Sequence, residues 1–286
     1  MQGITFLNIK AMSGCEKMSK EQLVFVGLGL YDEQDVSLKG LQELQQCDQV
    51  FAEFYTAKLG QFNKKTFEKR IGKKIEVLSR EETETGDILI DAAAKSHVVF
   101  LVCGDPMIAT THVELRLRAI KQRIPTKIIH SSSVATAVPG LLGLQNYKFG
   151  RTTTLAFPEK GFFPTSPYTV IEENAKRGLH TLVLLDIQAE KNRYMTANEG
   201  LELLLKMEEE LKNSLFTNDS IACVVARAGA KDVVIAANII DVLRKKDFGS
   251  PLHTIVIPGS LHFMEVEALQ LCAGLPSKVI RKIQKL

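Results

Sequence analysis

The residues with the most chemical potential sit where apolar runs end. Residues 98–103 form such a run, and Gly104-Asp105-Pro106-Met107-Ile108-Ala109-Thr110-Thr111-His112 follows it directly. That segment puts a carboxylate, a rigid proline and several small, hydroxyl-bearing or imidazole side chains into one turn. It lies past the carboxyl end of a buried strand, which is where α/β proteins bind ligands. A carboxylate at that place can accept from a ribose hydroxyl or an amino group, or balance a cation. The commoner use of an isolated Asp-Pro turn is to cap the next helix. His130-Ser131-Ser132-Ser133 ends the next apolar run and should open on the same edge, although serine clusters are usually solvated turns. Gly27-Leu28-Gly29 ends the first run, but Asp32 occupies the third glycine position of G-x-G-x-x-G. A carboxylate there repels a pyrophosphate, so the glycines are read as a tight turn that could lie against the uncharged part of a nucleoside. In the second half, Ala226-Arg227-Ala228-Gly229 and Leu252-His253 are corresponding strand-end features. A lone histidine such as His253 is more often a hydrogen-bonded structural residue than a catalyst.

Other chemistries lack their signatures. The chain has no G-x-S-x-G elbow, no H-E-x-x-H and no G-x-x-x-x-G-K-[ST] loop. Its five cysteines (Cys15, Cys47, Cys103, Cys223, Cys272) include no C-x-x-C pair, which argues against a disulfide framework and a zinc site, and for a reducing cytoplasm. No metal cofactor is expected. The 36 basic and 33 acidic side chains leave a net charge of +3, too small a basic field to imply nucleic acid as the main partner. No apolar run exceeds six residues, far short of the roughly 20 that cross a bilayer, so a soluble protein without a membrane partner is expected.

The elements that must position these residues alternate short β-rich runs with longer amphipathic stretches, the pattern of an α/β chain. With about 100–200 residues per domain, 286 residues suggest two domains. Residues 1–22 are read as an extension, with Met18 as a candidate start. Residues 23–146 form an N-terminal α/β domain carrying the glycine loop and the GDP turn, and residues 147–286 a C-terminal α/β domain. The pattern predicts strands over 23–30, 49–54, 75–78, 98–103 and 127–130, mainly parallel. Ser37 is a candidate N-cap, Ser79-x-x-Glu82 a capping box ahead of one helix through 88–95, and 112–122 a further helix. In the second half, strands are predicted over 152–157, 181–187, 220–226, 233–237 and 253–257. Close spacing and turn signals at Gly229 and Gly249-Ser250-Pro251 predict a partly antiparallel sheet there. The longest helix, 197–213, presents Leu201, Leu204, Leu205, Met207 and Leu211 on one face.

Taken in order, residues 23–32 (LVFVGLGLYD), 52–56 (AEFYT), 104–112 (GDPMIATTH), 147–150 (YKFG), 178–187 (GLHTLVLLDI), 194–198 (YMTAN) and 226–229 (ARAG) closely resemble the diphthine synthases, a family within the tetrapyrrole-methylase superfamily. The resemblance runs from about residue 23 past Met264. It implies two α/β domains of the tetrapyrrole-methylase type with the cofactor in the cleft between them, and a homodimer. It implies an S-adenosylmethionine-dependent methyltransferase, releasing S-adenosylhomocysteine, that methylates the amine of a 3-amino-3-carboxypropyl-histidine on translation elongation factor 2. Carried over by residue, the cofactor contacts are Leu30, Asp105, Ile108, Ser133, Val134, Leu185, Ala228 and His253. Ser132-Ser133-Val134 stands where the family more usually has Pro-Ser-Ile. The short connection from Asp186 to Tyr194 resembles archaeal members, which implies three nitrogen methyls rather than a further carboxylate ester. No general base is assigned, because an α-amino group with a pKa of about 8 is partly neutral near neutral pH. Two alternatives stay open. One is another superfamily methyltransferase, acting on a corrinoid precursor or ribosomal RNA; the other is a non-catalytic factor that binds the elongation factor.

Overall fold

The computed structural model describes residues 21–283, apart from Thr56, Lys160 and Phe162. The extension expected over 1–22, with Met18, lies almost wholly outside the described residues. The first sheet is parallel and has the order β3-β2-β4-β1-β5. Its strands are β1 (Gln22–Gly27), β2 (Gln49–Glu53), β3 (Ile75–Leu78), β4 (His97–Val102) and β5 (Thr126–Ile129). Every residue of β1 is buried, as a central strand requires. Val24 and Val26 face one core layer with Leu44 and Phe67, while Leu23 and Phe25 face the other with Leu89 and Phe100. The helices divide accordingly. α1 (Leu38–Gln46, capped by Ser37 as expected) and α2 (Lys64–Ile71) cover the first layer. α3 (Arg80–Thr85), α4 (Asp87–Ala93) and α5 (His112–Lys121) lie on the side of the second. The capping box Ser79–Glu82 is formed, but the single helix expected after it is two, because Gly86 takes φ +66° between α3 and α4.

The second sheet has the order β11-β10-β12-β7-β6. β6 (Thr153–Leu155) and β7 (Thr181–Leu185) pair in parallel. β10 (Ile221–Ala226), β11 (Val234–Ile239) and β12 (His253–Ile257) add antiparallel pairings, the mixed sheet expected from the turn signals. A small hairpin, β8 (Ile187–Gln188) and β9 (Arg193–Tyr194), stands apart. One face packs on α7 (Ser166–Lys176) and α8 (Ala197–Leu211). α8 buries Leu201, Leu204 and Met207 as expected and half-buries Leu205, but Leu203 is buried with them and Leu211 is exposed. The short α9 (Ile240–Leu243) also joins this core. The other face packs on α6 (Val134–Leu142), α10 (Phe263–Ala273) and α11 (Ser277–Ile283). Val138 and Leu142 of α6 therefore share a core with Leu182, Val225 and Val256. Core membership changes between Ile129, in the first, and Val134, which packs against the second.

The Tyr147-Lys148-Phe149-Gly150 motif has a structural explanation. Glu265, fully buried on α10, accepts from the Gln145 N–H (3.0 Å), His180 Nε2 (3.0 Å), the His262 N–H (2.9 Å) and the Lys148 ammonium. His180 in turn accepts from the Gly259 N–H at Nδ1 (2.9 Å), and Phe149 packs edge-on against its ring. Gly150 leaves room for Asn174, which bonds both backbone groups of Arg151. Burial by itself would raise the Glu265 pKa; Lys148 and the surrounding donors outweigh it and hold the carboxyl at about 2.

This buried network makes a prediction. Glu265→Gln strands the Lys148 charge and should cost about 3 kcal/mol of stability in urea unfolding. Because the folded-state pKa lies below the unfolded value, the contribution is complete above about pH 5 and disappears as pH falls toward 2. The variant should therefore show a flatter acid limb in its stability profile than the parent protein.

Candidate functional site

The site starts at the carboxyl ends of β1 and β4. These neighbours send their following helices to opposite faces of the sheet, since α1 packs on one layer and α5 on the other. That is a topological switch point, where open α/β sheets form their ligand crevice. Here the two departing loops are tied together: Gly29 and Gly104 exchange backbone hydrogen bonds of 3.3 and 2.8 Å. The contact demands glycine. A Cβ on Gly27 would lie 2.5 Å from the Gly104 carbonyl, and Gly29 itself sits at φ +83° against the Asp35 side chain. Asp35 then caps the loop by accepting from the N–H groups of Leu30 (3.1 Å) and Tyr31 (2.7 Å).

Asp105 does not cap α5, whose N-cap residue Thr111 makes no side-chain cap. Its carboxylate accepts from the Met107 N–H (3.0 Å) within the turn, and from His130 Nδ1 (2.8 Å) and the Ser131 N–H (3.2 Å) across the sheet. The group expected to face a ligand thus also locks the ends of β4 and β5 together. His112 holds the same turn from inside. Its Nδ1–H donates to the Pro106 carbonyl (3.1 Å), Phe100 lies edge-on to its ring, and Nε2 is 3.9 Å from buried Glu53. Burial pushes the His112 pKa down, with Glu53 acting against that shift.

A cavity of about 630 Å³ opens between these strand ends and the second sheet. Leu30, Asp105, Ile108, Ser133 and Val134 line it from one side. Leu185 and His253 line it from the other. Ala228 does not. It is buried in the second core, while its neighbour Gly229 packs directly on Leu30 and Tyr31, so the ARAG turn supports the glycine loop from behind. Arg227 in that turn, at φ +54°, is held by the carbonyls of Phe248 (2.6 Å) and Ser250 (2.7 Å) and by Asp232 (2.8 Å). It fixes the loop that leads into Leu252 and His253. Ser133 uses its hydroxyl to cap α6 through the Ala135 N–H (3.3 Å).

His253 resolves in favour of the structural role as far as proton transfer is concerned. Nδ1 accepts from the Ala197 N–H (3.1 Å), so Nε2 carries the hydrogen and donates to the Ser250 carbonyl (3.1 Å). Both nitrogens are occupied, and burial lowers its pKa, so the ring is neutral. It can contribute shape to the cavity but no general base.

The sequence reading missed Lys58, Thr152, Thr154, Asp186 and Tyr194, all of which line the cavity. Thr152 and Thr154 carried a signal, the period of two along the strand expected over 152–157, and Asp186 follows a buried strand as Asp105 does. Asp186 accepts from the Phe157 N–H (2.9 Å). Among the described residues no group of three or more His, Cys, Asp or Glu side chains could hold a metal ion, and no helix is long and apolar enough to cross a membrane.

Residues 22–241 match the family of Tetrapyrrole (Corrin/Porphyrin) Methylases. The diphthine synthase of Methanothermobacter thermautotrophicus is 49% identical over 261 residues, spanning 91% of this chain and 99% of the relative. That of Methanocaldococcus jannaschii is 49% identical over 257 residues, spanning 88% and 100%. A crystal structure of diphthine synthase superposes with a TM-score of 0.83 at 38% identity, covering 91% of this chain and 99% of that one. The chain belongs to the diphthine synthase family, and it is an N-methyltransferase.

The Asp105 geometry is testable apart from any ligand. Asp105→Ala removes the acceptor for two backbone N–H groups and a histidine, and should lower the unfolding free energy by about 2–3 kcal/mol. Chemical denaturation checks this; a loss below about 0.5 kcal/mol would show that the carboxylate does not tie β4 to β5.

Proposed function

We propose that the cavity binds S-adenosylmethionine and that the protein transfers methyl groups to the amine of a 3-amino-3-carboxypropyl-histidine on translation elongation factor 2. The observation that carries the cofactor assignment is the cavity's makeup. It has apolar walls at Leu30, Ile108, Leu184 and Leu185, glycine backbone lining it at Gly29 and Gly104, and the carboxylates Asp105 and Asp186. Such a site suits a nucleoside joined to a cationic sulfonium better than a diphosphate, in keeping with Asp32 beside the glycine turn. When bound, the cofactor supplies a methyl group made electrophilic by its sulfonium, for transfer to a neutral amine. Leu30 and Ile108 would sandwich its flat portion, and backbone groups around Gly104 and Ser133 would supply hydrogen bonds. His253, the one imidazole among the described residues lining the cavity, has both nitrogens engaged, so the reading assigns catalysis to alignment of amine and methyl carbon. Holding reactants in near-attack geometry can supply most of such a barrier reduction.

The acceptor assignment rests on the diphthine synthase relatives and on the motifs that match them. A homodimer belongs to the same reading, supported by Val113, Leu117 and Ile120, which are exposed at helical spacing along α5. The buried free thiols Cys47, Cys103 and Cys223 fit a reducing, cytoplasmic setting.

Two measurements test the proposal. With radiolabelled S-adenosylmethionine, label should appear on elongation factor 2 carrying the modified histidine, with three methyls by mass spectrometry. Labelling of a corrinoid precursor or ribosomal RNA instead would replace the acceptor assignment. Thr154→Trp, which fills the cavity from an exposed position, should weaken cofactor binding in calorimetry by about tenfold or more while leaving the fold intact. Unchanged affinity would move the cofactor out of this cavity.

A further inference from the structure

Among the described residues lining the cavity, Lys58 is the only lysine or arginine. It belongs to the loop after β2, in the first half of the molecule, and is exposed. Its ammonium lies 4.9 Å from the ring centroid of Tyr194, which lines the opposite wall from β9. No carboxylate among the described residues pairs with it. Of the two carboxylates in the cavity, Asp105 is engaged by His130, Ser131 and Met107, and Asp186 by Phe157. A cation held over an aromatic face is positioned without being neutralised, because the ring offers a quadrupole and no counter-charge. The mouth of the cavity therefore carries one oriented, unspent positive charge.

We propose that Lys58, steadied by Tyr194, binds the carboxylate of the incoming acceptor side chain. This rests on the reading above, in which the acceptor carries an amine and a carboxylate on one carbon. An ammonium–carboxylate hydrogen bond at the mouth fixes that carbon and leaves its amine as the group that projects inward. The same positive charge disfavours the protonated form of the nearby amine, which raises the neutral, nucleophilic fraction. It also occupies the carboxylate, the competing nucleophile on the same carbon, so transfer at that carbon is directed to nitrogen. The methyl donor has an amino-acid carboxylate of its own. Lys58 is assigned to the acceptor because it stands exposed at the rim, where a side chain carried by another protein must enter.

The test compares the parent protein with Lys58→Met and Lys58→Arg, using the full chain, S-adenosylmethionine and elongation factor 2 bearing the 3-amino-3-carboxypropyl group. Lys58→Met should raise KM for the elongation factor by roughly ten- to a hundredfold, the loss of one charge-assisted hydrogen bond. Cofactor affinity by calorimetry and the thermal midpoint should stay at parent values. Lys58→Arg should keep KM within a few-fold of the parent. A Lys58→Met KM within about twofold of the parent, or a loss confined to cofactor affinity, overturns the assignment. If the parent protein itself transfers no methyl to this acceptor, the underlying functional reading fails and takes this proposal with it, an outcome that the parent control separates from the other two.

Discussion

The molecule depends on a backbone contact with no side chain in it. Where β1 and β4 end, Gly29 and Gly104 bond to each other across the point at which their chains leave for opposite faces of the sheet. Gly27 lies so close to the Gly104 carbonyl and Ser131 that no larger residue fits. An open crevice between diverging loops thereby becomes a closed floor lined by glycine backbone. From that floor the order spreads sideways. Asp35 fixes Leu30 and Tyr31, Asp105 carries the tie from β4 to β5, and His112 braces the Pro106 carbonyl from beneath. The wall facing this floor comes from the second sheet, and Gly229 packing on Leu30 brings the two together.

Polar groups around the cavity are mostly turned toward the protein itself. Asp105, His253, Ser133 and Arg227 would each be chosen as ligand-binding groups from their positions alone, yet each satisfies hydrogen bonds that hold strands, caps or loops in place. A buried polar group left unpaired costs about 1–3 kcal/mol, so in the absence of ligand such pairing is what keeps the strand ends at fixed separation. The cavity then presents mainly apolar side chains and peptide backbone, a surface that selects by shape.

Much of this was legible in the sequence, because strand ends in α/β proteins have local signatures. The Ser37 cap, the Ser79–Glu82 box, the abrupt stop at Gly104-Asp105-Pro106 and the mixed second sheet all follow from short-range pattern. What escaped depends on contacts distant in the chain. α6 precedes YKFG yet packs with the second core, since its partners Leu182 and Val256 lie 40 or more residues onward. Lys148 of the motif at 147–150 is explained by Glu265, more than a hundred residues away, and Gly150 by Asn174. Ala228 matches the family pattern, but burial in the second core takes it off the cavity wall. Lys58 carries no local signal, and Tyr194, though it opens the YMTAN motif, shows its place on the cavity wall only through the contact with Lys58 across the two halves.

These pairings also constrain the chemistry. Among the described residues, His253 is the one imidazole lining the cavity and has both nitrogens committed, while His112 is buried behind Pro106. A reaction that needed a base on the cavity wall would have no imidazole there to provide one. Methylation of an α-amine has no such need where its neutral fraction attacks and the released proton passes to water. What that reaction does need is a fixed distance between two bound groups, and the Gly29–Gly104 contact, the Asp105 tie and the Arg227 clamp are all devices for fixing distance. The structure spends its polar residues on rigidity where a hydrolase would spend them on proton transfer, and that allocation fits an enzyme whose substrates bring their own reactivity.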